Sequence, residues 1–123
     1  MRRSFAICDP SLDGKSVATL HYNPADRKFH ITIDPAADVD KLPISLKMHA
    51  EIGRYELDGS FAMDWVRARM CPPSRQNISS ILRGLGLQEY DEFAFLMKTA
   101  GKSLMDDLYL DGVESVIDSE FMA

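Results

Sequence analysis

Between Val17 and Asp34 apolar and polar residues alternate on both sides of Pro24-Ala25-Asp26-Arg27, and no other stretch limits the fold as strongly. Proline presets φ, and aspartate can bond the backbone two residues on, so this tetrapeptide reads as a turn. The flanking runs Val17–Asn23 and Lys28–Asp34 then form an antiparallel hairpin. If Asn23 pairs with Lys28, then Tyr22 faces Phe29, Leu20 faces Ile31 and Ala18 faces Ile33. All six apolar side chains share one face. Thr19 meets Thr32 and His21 meets His30 on the other. A slip of one residue would mix the two faces, so the pattern specifies the register.

Ser4–Cys8 adds a short preceding strand with Phe5 and Ile7 on one face, joined through Asp9–Gly14. The result is a three-stranded antiparallel meander. A meander alone is marginal in water, so its apolar face needs a cover. The remainder of the chain supplies helices for that purpose. Pro35 to Pro43 breaks the β pattern, and Pro43 suits a first helical turn. Ile44, Met48 and Ile52 recur every four residues, the spacing of an apolar helix face, and Gly53 ends the run. Tyr55–Gly59 links to a second helix with Asp58 or Ser60 as its N-cap. There Phe61 and Trp65 share a side with Ala68 beneath them, while Asp64 and Arg67 face water.

Pro72 and Pro73 stop this helix because neither can donate to the preceding turn. Ser74 caps a third helix with Ile78, Ile81, Leu82 and Leu85 at helical spacing, closed by Gly86 with Leu87 folding back. A fourth runs from Glu89 to Thr99 and buries Tyr90, Phe93, Leu96 and Met97, with Gly101 after it. Ser103-Leu104-Met105-Asp106 has the form of a capping box. Val113, Val116, Ile117 and Phe121 outline a short last helix.

A chain of 123 residues has the size of one domain, and it is long enough to build a core without staples. The net charge of −5 and the scattered basic residues argue against a phosphate-binding surface. No run approaches the ~20 apolar residues of a membrane span, and MRRSFAICDP lacks the apolar core of a signal peptide. Cys8 and Cys71, far apart in a chain without a leader, read as reduced thiols of a cytoplasmic protein.

His21 and His30 face each other across the hairpin and are a possible metal pair. A zinc site needs three or four protein ligands, and only Asp26 and Asp34 lie near in sequence. Exposed strand histidines are the simpler reading, and no metal or cofactor is expected. Asp106, Asp107, Asp111, Glu114 and Asp118 lack the spacing of a calcium loop. Cys71 reads as a small buried hydrophobe rather than a nucleophile. The helices around Gly86 have the outline of a helix-turn-helix, but Glu89, Asp91 and Glu92 crowd the end that would approach DNA. Arg69 and Arg75 flank the double proline. Either they bind an anion or a partner's acidic segment beside Trp65, or one of them pairs with Asp106 or Asp107 inside the fold. The internal pairing is favoured, and Arg75 is its first candidate.

Arg69-Met70-Cys71-Pro72-Pro73-Ser74-Arg75 follows a helix carrying Trp65, and Gly101, Ser103, Leu104, Asp106 and Tyr109 follow downstream. These two motifs, in this order, resemble the N-terminal region ahead of the kinase in some HipA-like proteins of Gram-positive bacteria. HipA-like proteins are serine/threonine kinases that include toxins of toxin–antitoxin systems. Leu42 to Tyr109 carries the resemblance. A phosphate loop, a catalytic-loop Asp with its Asn and a metal-binding Asp motif are all missing, so no kinase active-site residue transfers. The resemblance implies a free-standing accessory module, with Pro72, Ser103, Asp106 and Tyr109 as structural motif residues.

The expectation is therefore one α+β domain over 1–123. Its meander occupies 1–34 and packs on four to five short helices within 43–121. Its expected role is non-enzymatic: a binding or regulatory module acting on a protein partner, such as a HipA-like kinase or toxin–antitoxin component. A helix-turn-helix-like DNA-binding regulator is the second reading. A small enzyme with a cleft formed by Arg69, Arg75 and Asp106 is the third.

Overall fold

The hairpin forms in the register that the alternation specifies. In the computed structural model, which describes residues 3–70, 77–102, 106 and 108–111, β2 (Lys15–Asn23) runs antiparallel to β3 (Lys28–Ile33). Asn23 pairs with Lys28, Tyr22 with Phe29, Leu20 with Ile31 and Ala18 with Ile33. The turn is held at both ends by short side chains. Asn23 Oδ1 accepts from the Ala25 N–H at 3.0 Å, and Asp26 Oδ1 accepts from the Lys28 N–H at 3.2 Å. Arg27 completes it in the left-handed region with φ 56°.

β1 (Arg3–Asp9) pairs antiparallel with β2. Ile7 opposes Ala18 while Cys8 opposes Ser16, so Val17 is the extra residue of a bulge. The bulge lets Val17 and Ala18 both bury their side chains. Asp9 organises the connection: its Oδ1 accepts from the N–H and the hydroxyl of Ser11 at 2.9 and 2.7 Å.

The sheet is wider than a three-stranded meander. It has five strands, ordered β4-β3-β2-β1-β5, where β4 is Glu56–Leu57 and β5 is Tyr109–Leu110. Part of the Tyr55–Gly59 link is thus an edge strand, with Leu57 beside Ile31 and Glu56 beside Thr32. The segment after Asp106 is extended rather than the start of a helix. Leu108 and Leu110 are buried, and Leu110 and Tyr109 pair with Ile7 and Cys8. Asp106 makes a local turn: its Oδ1 accepts from the Leu108 N–H at 3.0 Å. Two-residue edges carry too little alternation to be read as strands in isolation.

Four α-helices are present among the described residues: α1 (Ile44–Glu51), α2 (Gly59–Arg67), α3 (Ile78–Gly84) and α4 (Glu92–Thr99). Pro43 stands just outside α1 as its N-cap, where its carbonyl accepts from Leu46 and Lys47 at 2.9 and 2.8 Å. Gly53, at φ 79°, closes α1: the Gly53 and Arg54 N–H groups bond back to the Ala50 and His49 carbonyls at 3.0 and 2.9 Å. Gly86 ends α3 in the same way, and Leu87 folds back against the core as expected.

The core lies between the apolar sheet face and the helices. Ile7, Leu20, Ile31, Ile33 and Leu57 meet Ala62, Trp65 and Val66 of α2, Ile81 and Leu85 near α3, and Phe95 and Leu96 of α4. α4 starts at Glu92 rather than Glu89 because Asp91 is extended and accepts from the Ala94 N–H at 2.9 Å. Its innermost side chains are therefore Phe95, Leu96 and Thr99. Tyr90, Phe93 and Met97 are only partly buried, and Phe93 instead stacks on Tyr22 with centroids 4.1 Å apart. Ala68 is exposed, unlike its expected place beneath Trp65. Pro72, Pro73, Ser74, Ser103 and the run from Val113 to Phe121 lie outside the described residues.

Candidate functional site

α1 turns the expected pattern inside out. Its inward side chains are Leu46 and Ala50, both buried. The ridge of Ile44, Met48 and Ile52 faces water, at 71%, 56% and 68% exposure. Phe61 on the first turn of α2 is also exposed, at 39%. These are the large exposed apolar side chains among the described residues. They are joined by His49, whose ring meets Phe61 edge-on at 5.4 Å. Arg54 closes that end. Its guanidinium lies over Phe61 at 4.1 Å and donates to His49 Nδ1 at 3.3 Å. Burial lowers the pKa of His49, and the charge of Arg54 lowers it further. Apolar residues on both sides of α1 are the signature of a helix covered on both sides. The sequence carries that signal as Leu46 and Ala50 set between Ile44, Met48 and Ile52.

At the junction singled out by Arg69 and Trp65, both of these side chains are buried. Arg69 is buried and pairs with Asp106, their side chains 2% and 8% exposed. Its Nε donates to the Gly101 carbonyl at 2.7 Å, and its guanidinium lies 4.2 Å from the Trp65 ring. Internal pairing with Asp106 is thus formed, and among the described residues its partner is Arg69. Arg69 sits two residues beyond the end of α2, where its side chain reaches Gly101 and Asp106. Arg75 and Asp107 lie outside the described residues. Among the described residues, Arg69 and Asp106 are thus paired with each other and backed by the Trp65 indole.

His21 and His30 do oppose each other on the polar sheet face, with ring centroids 5.8 Å apart. Both are half-buried rather than fully exposed. His21 Nδ1 meets Ser4 Oγ at 2.7 Å. His30 Nε2 bonds the Glu56 carboxylate, which also accepts from Thr32 Oγ1 at 2.9 Å. Chiefly the His30 bond holds Glu56 below the ordinary carboxylate pKa. The edge strand β4 brings Glu56 here, a partner that sequence spacing alone does not reveal. Among the described residues no three His, Cys, Asp or Glu side chains are arranged to hold a metal ion.

Cys8 is buried and free, and burial, then the charge of Asp111, pushes its thiol pKa upward. Such a thiol is a poor nucleophile at neutral pH. The two helices of the helix-turn-helix outline are α3 and α4, but every residue of α4 is buried or half-buried. No described helix is long and apolar enough to cross a membrane. The chain matches no family model, and neither a curated protein nor a solved structure shows significant similarity to it.

Proposed function

We propose that this chain is a non-enzymatic binding module that docks a protein partner through the outer face of α1 and the start of α2. One observation carries the reading: a helix apolar on both sides, with Ile44, Met48 and Ile52 uncovered. Contiguous exposed apolar patches beyond a few hundred Å² are rare on monomers, and polar-rimmed ones mark interaction sites. The rim is polar, with Lys47, Glu51 and Arg54 around the ridge, as in docking surfaces generally. The resemblance of Trp65–Arg75 and Gly101–Tyr109 to the region ahead of HipA-like kinases makes such a kinase, or another toxin–antitoxin component, the first heterologous partner to try. The reading places the module in the cytoplasm, in keeping with the free, buried thiol of Cys8.

A photo-crosslinking residue in place of Met48, compared with one in place of exposed Asp64 on α2, tests the reading in cells. The expected result is a discrete protein adduct from position 48 and none from position 64. No adduct at 48, or the same smear from both positions, would sink the proposal.

A further inference from the structure

We infer that the partner of this face is a second copy of the chain, packed through a two-fold axis that sets α1 antiparallel to its counterpart; the inference rests on the binding role proposed for α1. Ile44, Met48 and Ile52 form one row at spacings of four, and interdigitating rows of this kind is the commonest way two helices pack. The row is a palindrome about Met48. A two-fold axis beside Met48, perpendicular to α1, lays Ile44 against the second copy's Ile52 and Ile52 against its Ile44. This self-complementarity is what a two-fold interface demands, because the same patch must serve both sides.

The charges obey the same axis. At about 100° per residue, Lys47 and Glu51 lie on the same flank of Met48. The axis reverses position along the helix and keeps the flank. Glu51 therefore stands about 3 Å along the helix axis from the second copy's Lys47, at about 1.5 Å rise per residue. The relation repeats beyond the axis, so two Lys–Glu pairs run along one flank of the apolar row. Covering Ile44, Met48, Ile52 and Phe61 on both copies removes on the order of 1,000 Å² of surface, the lower bound for a specific interface. An interface of that size belongs to the weak, reversible end of specific association.

Sedimentation velocity on the full chain, from about 5 to about 500 µM, reads the equilibrium directly. The expected result is a concentration-dependent shift from monomer to dimer. Met48→Lys places two ammonium groups at the axis and should hold the chain monomeric. Lys47→Glu and Glu51→Lys should each weaken the dimer about tenfold by juxtaposing like charges. Lys47→Glu combined with Glu51→Lys should restore it. Circular dichroism confirms that each variant is folded, and the charge reversals keep the test decisive if Met48→Lys is not. A monomer throughout the range, or a dimer indifferent to Met48→Lys, overturns the inference, and so does a double variant that fails to recover. If the chain stays monomeric while the crosslinker at position 48 captures a different protein, the dimer falls and the binding role stands. If position 48 yields no adduct of any mass, both fall.

Discussion

Arg69 shows how much one side chain can hold together. It lies just past α2, and its guanidinium ties the Gly101 carbonyl and the Asp106 carboxylate to the Trp65 ring. Two chain segments separated by more than thirty residues are thereby fixed to each other. Taking both charges out of water is costly, so the pair as a whole adds little net stability over a well-packed apolar substitute. Removing one partner is different, because the other charge stays buried and unpaired. Arg69→Ala should therefore lower the free energy of unfolding by about 3–5 kcal/mol, as read from urea denaturation. A loss below about 1 kcal/mol would mean that Asp106 is solvated rather than buried. The same accounting explains why Arg69 is a poor candidate for binding an external anion. Its donors already serve the fold.

α1 and β4 show what an element gains from its neighbours. α1 buries only Leu46 and Ala50 against the protein, so its attachment rests on a narrow contact. Leu46→Ala should cost about 2–5 kcal/mol, the range for emptying a buried leucine site. Met48→Ala should change the stability of the dilute monomer by less than about 0.5 kcal/mol, because that side chain already faces water. Chemical denaturation of the two variants separates the faces. Equal losses would mean that α1 is turned the other way. β4 is a different case. Two residues cannot form a strand by propensity, but β3 offers a free edge. The Tyr55 carbonyl accepts from the Ile33 N–H at 2.7 Å, and the next two residues follow into the ladder. Once there, Glu56 reaches His30 and Thr32 on the polar face.

Across the whole molecule, the sheet holds apolar side chains on one face and a hydrogen-bonded polar strip on the other, and His49 on α1 and Glu56 on the polar strip both respond to acid. His49 titrates lower in the folded chain than in the unfolded one, through burial and the charge of Arg54. The unfolded chain thus binds more protons, and stability falls as the pH drops below the ordinary value of 6.5. Glu56 adds a second loss at lower pH, beginning near its ordinary value of 4.5, because its folded-state pKa is also depressed. Its side chain is largely exposed, which keeps that second loss small. Urea midpoints measured from about pH 7.5 down to about pH 5 should decline, and His49→Gln should flatten part of the decline. Identical slopes for the two chains would remove His49 from the account.

The sequence alone determined the hairpin. Alternation in β2 and β3, with a turn that fixes the ends, leaves one register in which Tyr22, Leu20, Phe29 and Ile31 share a face. The helix stops at Gly53 and Gly86 were equally legible, because a left-handed residue closing a helix is a local requirement. Tertiary structure decided the rest. The edge strands depend on a neighbour's free hydrogen bonds, which no two-residue pattern announces. That Arg69 reaches Asp106 depends on where the end of α2 comes to lie against the segment after α4. The orientation of α1 depends on what lies on each side of it. Leu46 and Ala50 can be inside only if Ile44, Met48 and Ile52 are outside. Periodicity shows that a helix has an apolar ridge, but only packing shows whether that ridge meets the chain's own core or something else.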